Sequence, residues 1–209
     1  MSIKRIILAS ASPRRREILE KFGVKFDIIP SDADENISKD TECGDYVMAL
    51  AKIKGESVRD ALKKRGEDVA DTLIISCDTV VYYNKMIIGK PKSELDATLT
   101  LGMLSDSWHS VYSGLCLILG DTEICDCART DVKFAEISER DIERYVASGE
   151  PKGKAGSYAI QGGAAAFVEK IDGDYYNVVG FPLALFCNML KYGFGISVFD
   201  LGDINDEKR

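Results

Sequence analysis

The stretch 72-TLIISCDTVVYYNKMIIGKP-91 decides the class of fold. Its first half is an apolar run rich in β-branched residues, Asn84 and Lys85 interrupt it, and a short apolar run returns to Gly-Lys-Pro. That pattern reads as a hairpin: a buried strand, a turn at Asn84–Lys85 and a return strand. An antiparallel hairpin inside a chain that otherwise alternates helices and strands implies a mixed sheet.

Outward from the hairpin, Lys4 to Ala9 reads as a short buried strand and Arg14 to Phe22 as a helix stopped by Gly23. A strand follows at Val24 to Ile29, then a polar loop from Ser31 to Gly44 and a long amphipathic helix from Asp45 to Arg65. Ser93 with Asp96, and Ser138 with Asp141, have the spacing of capping boxes. The first opens a helix carrying Leu95, Leu99 and Met103; the second opens one ending near Ala147. Between them, HSVYSGLCLILG (109–120) and TEICDCARTDVKFAEI (122–137) read as long strands about a turn at Gly120–Asp121. AAAFVEKIDGDYYNVVG (164–180) reads as a hairpin turning at Asp172–Gly173, and Pro182 starts a last helix. The expected architecture is α/β: a twisted mixed sheet flanked by helices, with a cleft for a ligand. Residues 1–195 form one domain, single or two-lobed, followed by an acidic, frayed tail over 196–209.

Composition narrows the classes of function. At 209 residues, 45% hydrophobic and 29% charged, the chain can bury a sizeable core. A net charge of −7 argues against broad nucleic-acid binding and against attraction to an anionic membrane. No apolar run is long enough to span a bilayer, and Ile6–Ala9 is too short for a secretory signal core. The six cysteines include no CxxC pair and read as reduced core thiols of a cytoplasmic protein. His109, the single histidine, has no neighbour suggesting a catalytic dyad and reads as structural.

Two features stand out against this background. In SASPRRREIL (10–19), three arginines crowd a helix start, where the helix dipole disfavours positive charge. Pro13 suits the first helical position and Ser12 can cap. The helix-start N–H groups with Arg14 and Arg15 then make a phosphate site, unless the arginines form a solvated face pairing with Glu17 or Glu20. Asp78 is the second feature: it is the only charged residue from Thr72 to Asn84. A lone carboxylate in a buried strand needs a cation, a hydrogen-bond network or a catalytic task. Lys90 lies between a glycine and a proline at the end of a strand, and Gln161 precedes two glycines that let a ligand approach the backbone.

LASASPRRREIL (8–19), SCDTVV (76–81), GKP (89–91) and KAGSYAIQGGAAAFVEKIDGDYYNVVGFP (154–182), in this order, resemble the Maf (septum-formation) family of nucleoside triphosphate pyrophosphatases. The similarity runs from about Ile3 to Leu190. It implies an enzyme that hydrolyses a nucleoside triphosphate to the monophosphate and pyrophosphate with a divalent metal, Mg²⁺ or Mn²⁺. It also implies a fold shared with inosine-triphosphate pyrophosphatases and a homodimer as a common assembly.

Position by position, the resemblance assigns triphosphate binding to Ser10, Arg14, Arg15, Lys54 and Lys90, with Glu35 as the acidic residue of the following loop and Asp78 as proton acceptor. Glu35 and Asp78 are the metal-ligand candidates. Base preference maps to Arg14, Thr79 and Gln161, and arginine at position 14 resembles the branch acting on dTTP and UTP. Cys77 and Gly55 stand where alanine is common in the family. Arg16 matches no functional position. The competing reading is a nucleotide-binding regulator of cell division without significant turnover.

Overall fold

The structure, a computed structural model, describes residues 3–38 and 41–203. The chain enters through β1 (Arg5–Leu8), α1 (Pro13–Glu20), β2 (Asp27–Ile28) and α2 (Cys43–Lys64). Next come β3 (Thr72–Tyr83), β4 (Met86–Ile88), α3 (Glu94–Leu104), β5 (Trp108–Leu119), β6 (Thr122–Phe134) and α4 (Glu139–Ala147). It closes with β7 (Val168–Asp172), α5 (Tyr175–Val179), α6 (Leu183–Met189) and α7 (Asp200–Asp203). The sheet runs β2-β1-β3-β5-β6-β7, with β4 paired to β3. β1 is parallel to β2 and β3, whereas β3 and β4, and β6 and β7, are antiparallel. The mixed α/β sheet expected from the hairpin is therefore present.

The chain divides into two compact units. One comprises Met1–Asp78, Ser113–Ala128 and Gly180–Arg209, the other Thr79–Tyr112 and Arg129–Val179. β3, β5 and β6 each contribute residues to both.

In the first unit α2 covers the sheet. Ala51, Val58 and Leu62 from the helix pack with Ile7, Ile74 and Ile118 from the strands. The crossing is closest at Gly114, where an added Cβ would lie 2.1 Å from the Val47 carbonyl oxygen. The two departures from the family pattern are packing features. Gly55 makes room for Ser76, whose Oγ would be 2.7 Å from an added Cβ, and the Ser76 hydroxyl donates to the Ala51 carbonyl at 2.7 Å. Cys77 is fully buried.

The second unit is organised around rings. His109, Tyr158 and Phe167 each meet Phe134 edge-on, and Tyr145 meets Phe167. His109 is structural, as expected: it is buried and its Nε2 lies 2.8 Å from the Tyr158 hydroxyl. Burial pushes its pKa down from 6.5 to about 4. Between those values the unfolded chain binds a proton that the native chain does not, so stability falls as the pH drops. We expect a loss on the order of 3 kcal/mol across this window from His109. Urea unfolding of the native protein and His109→Asn at pH 7 and pH 4.5 checks it, since the variant should lose less between the two pH values.

The structure corrects several expectations. Cys116 and Cys125 form a disulfide across neighbouring strands β5 and β6, while Cys43, Cys77, Cys127 and Cys187 are not in disulfides. The helix expected after Ser93 is present as α3; its Leu95, Leu99 and Met103 are 68%, 59% and 43% exposed, and it turns Ala97, Thr100, Leu101 and Leu104 inward. The strand expected over 24–29 pairs with β1 only at Asp27 and Ile28. β7 has no returning partner after Gly173: the chain enters α5, where buried Asn177 donates to the Val111 carbonyl and the Thr130 hydroxyl, both at 3.0 Å. Pro182 sits one residue before α6 as its N-cap. The expected frayed tail is in part a packed segment, with Val198 and Leu201 buried in the first unit; 204–209 lie outside the described residues.

Candidate active site

The site starts where β1 ends. Ala9 N–H continues the parallel ladder to the Ile75 carbonyl at 2.8 Å, and the chain then turns into α1. Ser12 occupies the N-cap position without a side-chain cap bond. Its own N–H instead donates to Ser10 Oγ at 3.2 Å, so Ser10, not Ser12, shapes the turn. No acidic residue lies in the first turn of α1, which keeps the positive end of the dipole uncompensated by the helix itself.

The three arginines have three different fates. Arg15 is held in place: Nη1 donates to Ser10 Oγ at 3.0 Å and Nε to the Gly180 carbonyl at 2.9 Å. Arg14 is half-buried, and its pKa lies below the usual arginine value through desolvation first and the Arg15 charge second, against a smaller opposing effect of Glu17. A partly desolvated cation beside a like charge is what an anion would stabilise. Arg16 is exposed and pairs with Glu20 one helical turn on, at 2.7 Å. The alternative of a solvated face thus holds for Arg16.

Asp78 has found the cation its burial demands. Lys54 Nζ donates to its Oδ1 at 2.6 Å and lies 3.1 Å from Glu35 Oε2. Lys54 and Asp78 side chains are only 12% and 15% exposed, while Glu35 is 56% exposed. The inner pair is therefore screened little by solvent, and Glu35 closes it from the outside. α2 aligns the lysine: Tyr46, Leu50 and Lys54 are four residues apart and share a face. The Tyr46 hydroxyl is pushed up by burial and then by the charges of Asp78 and Glu35.

The Ser10–Arg15 turn and the Asp78 strand meet at one backbone atom. The Gly180 carbonyl that accepts from Arg15 Nε also lies 3.7 Å from Sγ of Cys77, the residue before Asp78. Parallel pairing of Leu8 with Ile75 puts the Ser10–Arg15 turn just past the carboxyl end of β1 and Asp78 on β3 three residues beyond the last paired position.

The first unit accordingly groups Ser10, Arg14 and Arg15 on one turn, and Glu35, Lys54 and Asp78 in one charge cluster. Thr79, Lys90 and Gln161 belong to the second unit. Thr79 directly follows Asp78 on β3 and is partly buried. Lys90 is exposed after β4, in a turn whose Gly89 carbonyl accepts from Gly156 N–H at 3.1 Å. Gln161 is exposed in a tight turn in which Gly162 N–H donates to the Ala159 carbonyl at 3.0 Å.

Glu35 and Asp78 offer the hard carboxylate oxygens that suit Mg²⁺ or Mn²⁺, and both already converge on one cationic point, Lys54 Nζ. The donor set fits such an ion. Cys116, Glu123 and Cys125 also gather two sulfurs and a carboxylate, but the sulfurs are bonded to each other and Glu123 to Lys52. Sequence reasoning missed Tyr46 and the Gly180 carbonyl. The i, i+8 spacing of Tyr46 and Lys54 was a usable signal for the first; a backbone oxygen leaves none.

Residues 5–192 match the family described as Maf-like protein. A dTTP/UTP pyrophosphatase of Caldicellulosiruptor bescii is 43% identical over 197 residues, covering 93% of this chain and 98% of that one. A dTTP/UTP pyrophosphatase of Bacillus cereus is 43% identical over 197 residues, covering 94% and 93%. One from Bacillus anthracis is 43% identical over 196 residues, covering 94% and 98%. Among solved structures, the Staphylococcus aureus Ham1 protein aligns with a TM-score of 0.44 at 15% identity, over 64% of this chain and 73% of that one.

Proposed function

This chain belongs to the Maf family, and from that premise we propose that it is a nucleoside triphosphate pyrophosphatase acting foremost on dTTP and UTP. The observation that carries the reading is the part-buried Lys54–Asp78 pair next to the Ser10–Arg15 turn: a carboxylate sheltered from solvent beside an anion-binding helix start. A triphosphate brings about four negative charges, which Arg14, Arg15, Lys54 and Lys90 offset in part. Helix-start N–H groups of α1 and the Ser10 hydroxyl add neutral donors.

In the reaction, a water oxygen bonds to the α-phosphorus, the bond from that phosphorus to the bridging oxygen breaks, and pyrophosphate departs with the electron pair. Asp78 accepts the proton of the attacking water, and Lys54 holds the carboxylate in position on Oδ1. Arg15, tied to Ser10 and Gly180, keeps the phosphate-binding turn in one conformation, so little is left to order on binding. Glu35 and Asp78 would hold Mg²⁺ or Mn²⁺, which supplies charge neutralisation on the phosphate oxygens and acidifies a bound water. Arg14, Thr79 and Gln161 read the base. Among the described residues no helix is long and apolar enough to cross a membrane.

The test is a panel of dTTP, UTP, CTP, GTP and modified nucleotides with Mg²⁺, following both pyrophosphate and phosphate. Pyrophosphate release fastest with dTTP and UTP is the expected result. Release of single phosphates would place attack at the γ-phosphorus and overturn the mechanism. Binding without any release would favour a nucleotide-binding regulator.

A further inference from the structure

The loop carrying Gln161 is pinned on both sides by two side chains that the reaction itself does not use. Two residues before Gln161, Ala159 N–H donates to the Tyr145 hydroxyl at 3.1 Å. Two residues after it, Gly163 N–H donates to Glu150 Oε2 at 3.0 Å. The two anchors are themselves joined, since the Tyr145 hydroxyl donates to Glu150 Oε1 at 2.9 Å. A phenol and a carboxylate thus form one bridge under the turn, and Gln161 stands above it, exposed.

The contact is too close for any side chain on the intervening residue. A Cβ on Gly162 would lie 2.3 Å from Glu150 Oε1 and 2.6 Å from its Cδ, so the backbone rests directly on the carboxylate. The anchors are well supported. Tyr145 is buried in α4 against Phe167, and Glu150 follows the turn after α4, its N–H bonded to Ser148 Oγ and its carbonyl to Lys154 Nζ. Burial and the Glu150 carboxylate both favour the protonated phenol, which keeps Tyr145 a hydrogen-bond donor to that carboxylate.

An exposed amide that discriminates bases does so only if its backbone is held, because a wandering donor–acceptor pair reads no pattern. We propose that Glu150 and Tyr145 are the positioning residues of the base-reading loop, holding Gln161 in the orientation that sets the preference for dTTP and UTP over other nucleoside triphosphates. The proposal rests on Gln161 reading the base, as in the proposed function.

The experiment measures kcat and KM for dTTP, UTP, CTP and GTP in the full-length native protein, Tyr145→Phe, Glu150→Ala, Glu150→Gln and Gln161→Ala. Glu150→Ala removes both acceptor oxygens. It should raise KM for dTTP and UTP about tenfold and shrink the dTTP-to-CTP ratio of kcat/KM by a similar factor, with kcat held within about twofold. Glu150→Gln keeps one acceptor oxygen and should recover part of the ratio. Tyr145→Phe leaves the Glu150–Gly163 bond and should lie between native and Glu150→Ala. Gln161→Ala should lose the ratio outright. Native-like ratios in Glu150→Ala and Tyr145→Phe, with a collapsed ratio in Gln161→Ala, would overturn the positioning role alone. An unchanged ratio in Gln161→Ala would overturn the base-reading role and this proposal with it. Should Glu150→Ala fail to fold, Tyr145→Phe and Glu150→Gln, each a near-isosteric change, still decide the outcome.

Discussion

Asp78→Asn should lower pyrophosphate release from dTTP by about a hundred- to a thousandfold while leaving nucleotide binding close to native. The amide has the size of the carboxylate, and its oxygen can still accept from Lys54, which in the native protein donates to Oδ1 at 2.6 Å. Glu35, at 3.1 Å, remains to balance the ammonium, so the lysine is not stranded. The amide cannot take up the proton of the attacking water. Steady-state pyrophosphate release, paired with calorimetric titration of dTTP, separates the two effects. Turnover within tenfold of native would remove Asp78 from the proton-accepting role and move attention to Glu35.

Gly114→Ala should be the most destabilising single methyl in the protein's first unit. The new Cβ would stand 2.1 Å from the Val47 carbonyl oxygen, 2.3 Å from its carbon and 2.6 Å from the Met48 nitrogen. All three are backbone atoms of α2, so no rotamer change relieves the clash. The helix must lift off the strand, and overpacking of this kind costs about 3 kcal/mol or more. A fall in Tm of roughly 6–12 °C is expected for a chain of this size. Because α2 also carries Lys54, activity should fall at temperatures where the variant is still folded. A Tm within 2 °C of native would show, contrary to expectation, that the helix has room to shift.

What the sequence made legible was whatever rested on local chemistry. Asn84 and Lys85 both adopt positive φ, at 49° and 63°, as a two-residue hairpin turn of the primed type requires. Ser93 and Ser138 each accept from the backbone N–H three residues on, as their capping boxes demand. Charges in unfavourable places also announced themselves. The arginines at the start of α1 divide into Arg15, bonded within the turn, half-buried Arg14 and solvated Arg16, and Asp78 found its lysine.

What failed was whatever depends on facing partners. Spacing marked α3 as a helix but not its inner face: α3 is apolar on more than one side, and the protein buries Ala97, Leu101 and Leu104 while Leu95, Leu99 and Met103 stay exposed. Asp172–Gly173 carries a hairpin signature, yet Gly173 has φ 127°, and Asn177 draws the chain into a helix through bonds to Val111 and Thr130. Cys116 and Cys125 looked like isolated thiols because pairing across two strands is a property of register. The Tyr145–Glu150 bridge was invisible for a similar reason, since its partners at Ala159 and Gly163 are backbone groups.

The Cys116–Cys125 bond closes the β5–β6 hairpin into a covalent ring nine residue steps around, with the Gly120–Asp121 turn at its far end. The Asp121 side chain at that turn is fully open to solvent. The ring makes the chain's continuity independent of that hairpin link: a single peptide cut at Gly120–Asp121 would leave the two fragments tethered. β6, its Glu123 carboxylate bonded to Lys52 of α2, would stay attached to the helix that carries Lys54. The covalent link between the halves would be lost only if reduction followed such a cut.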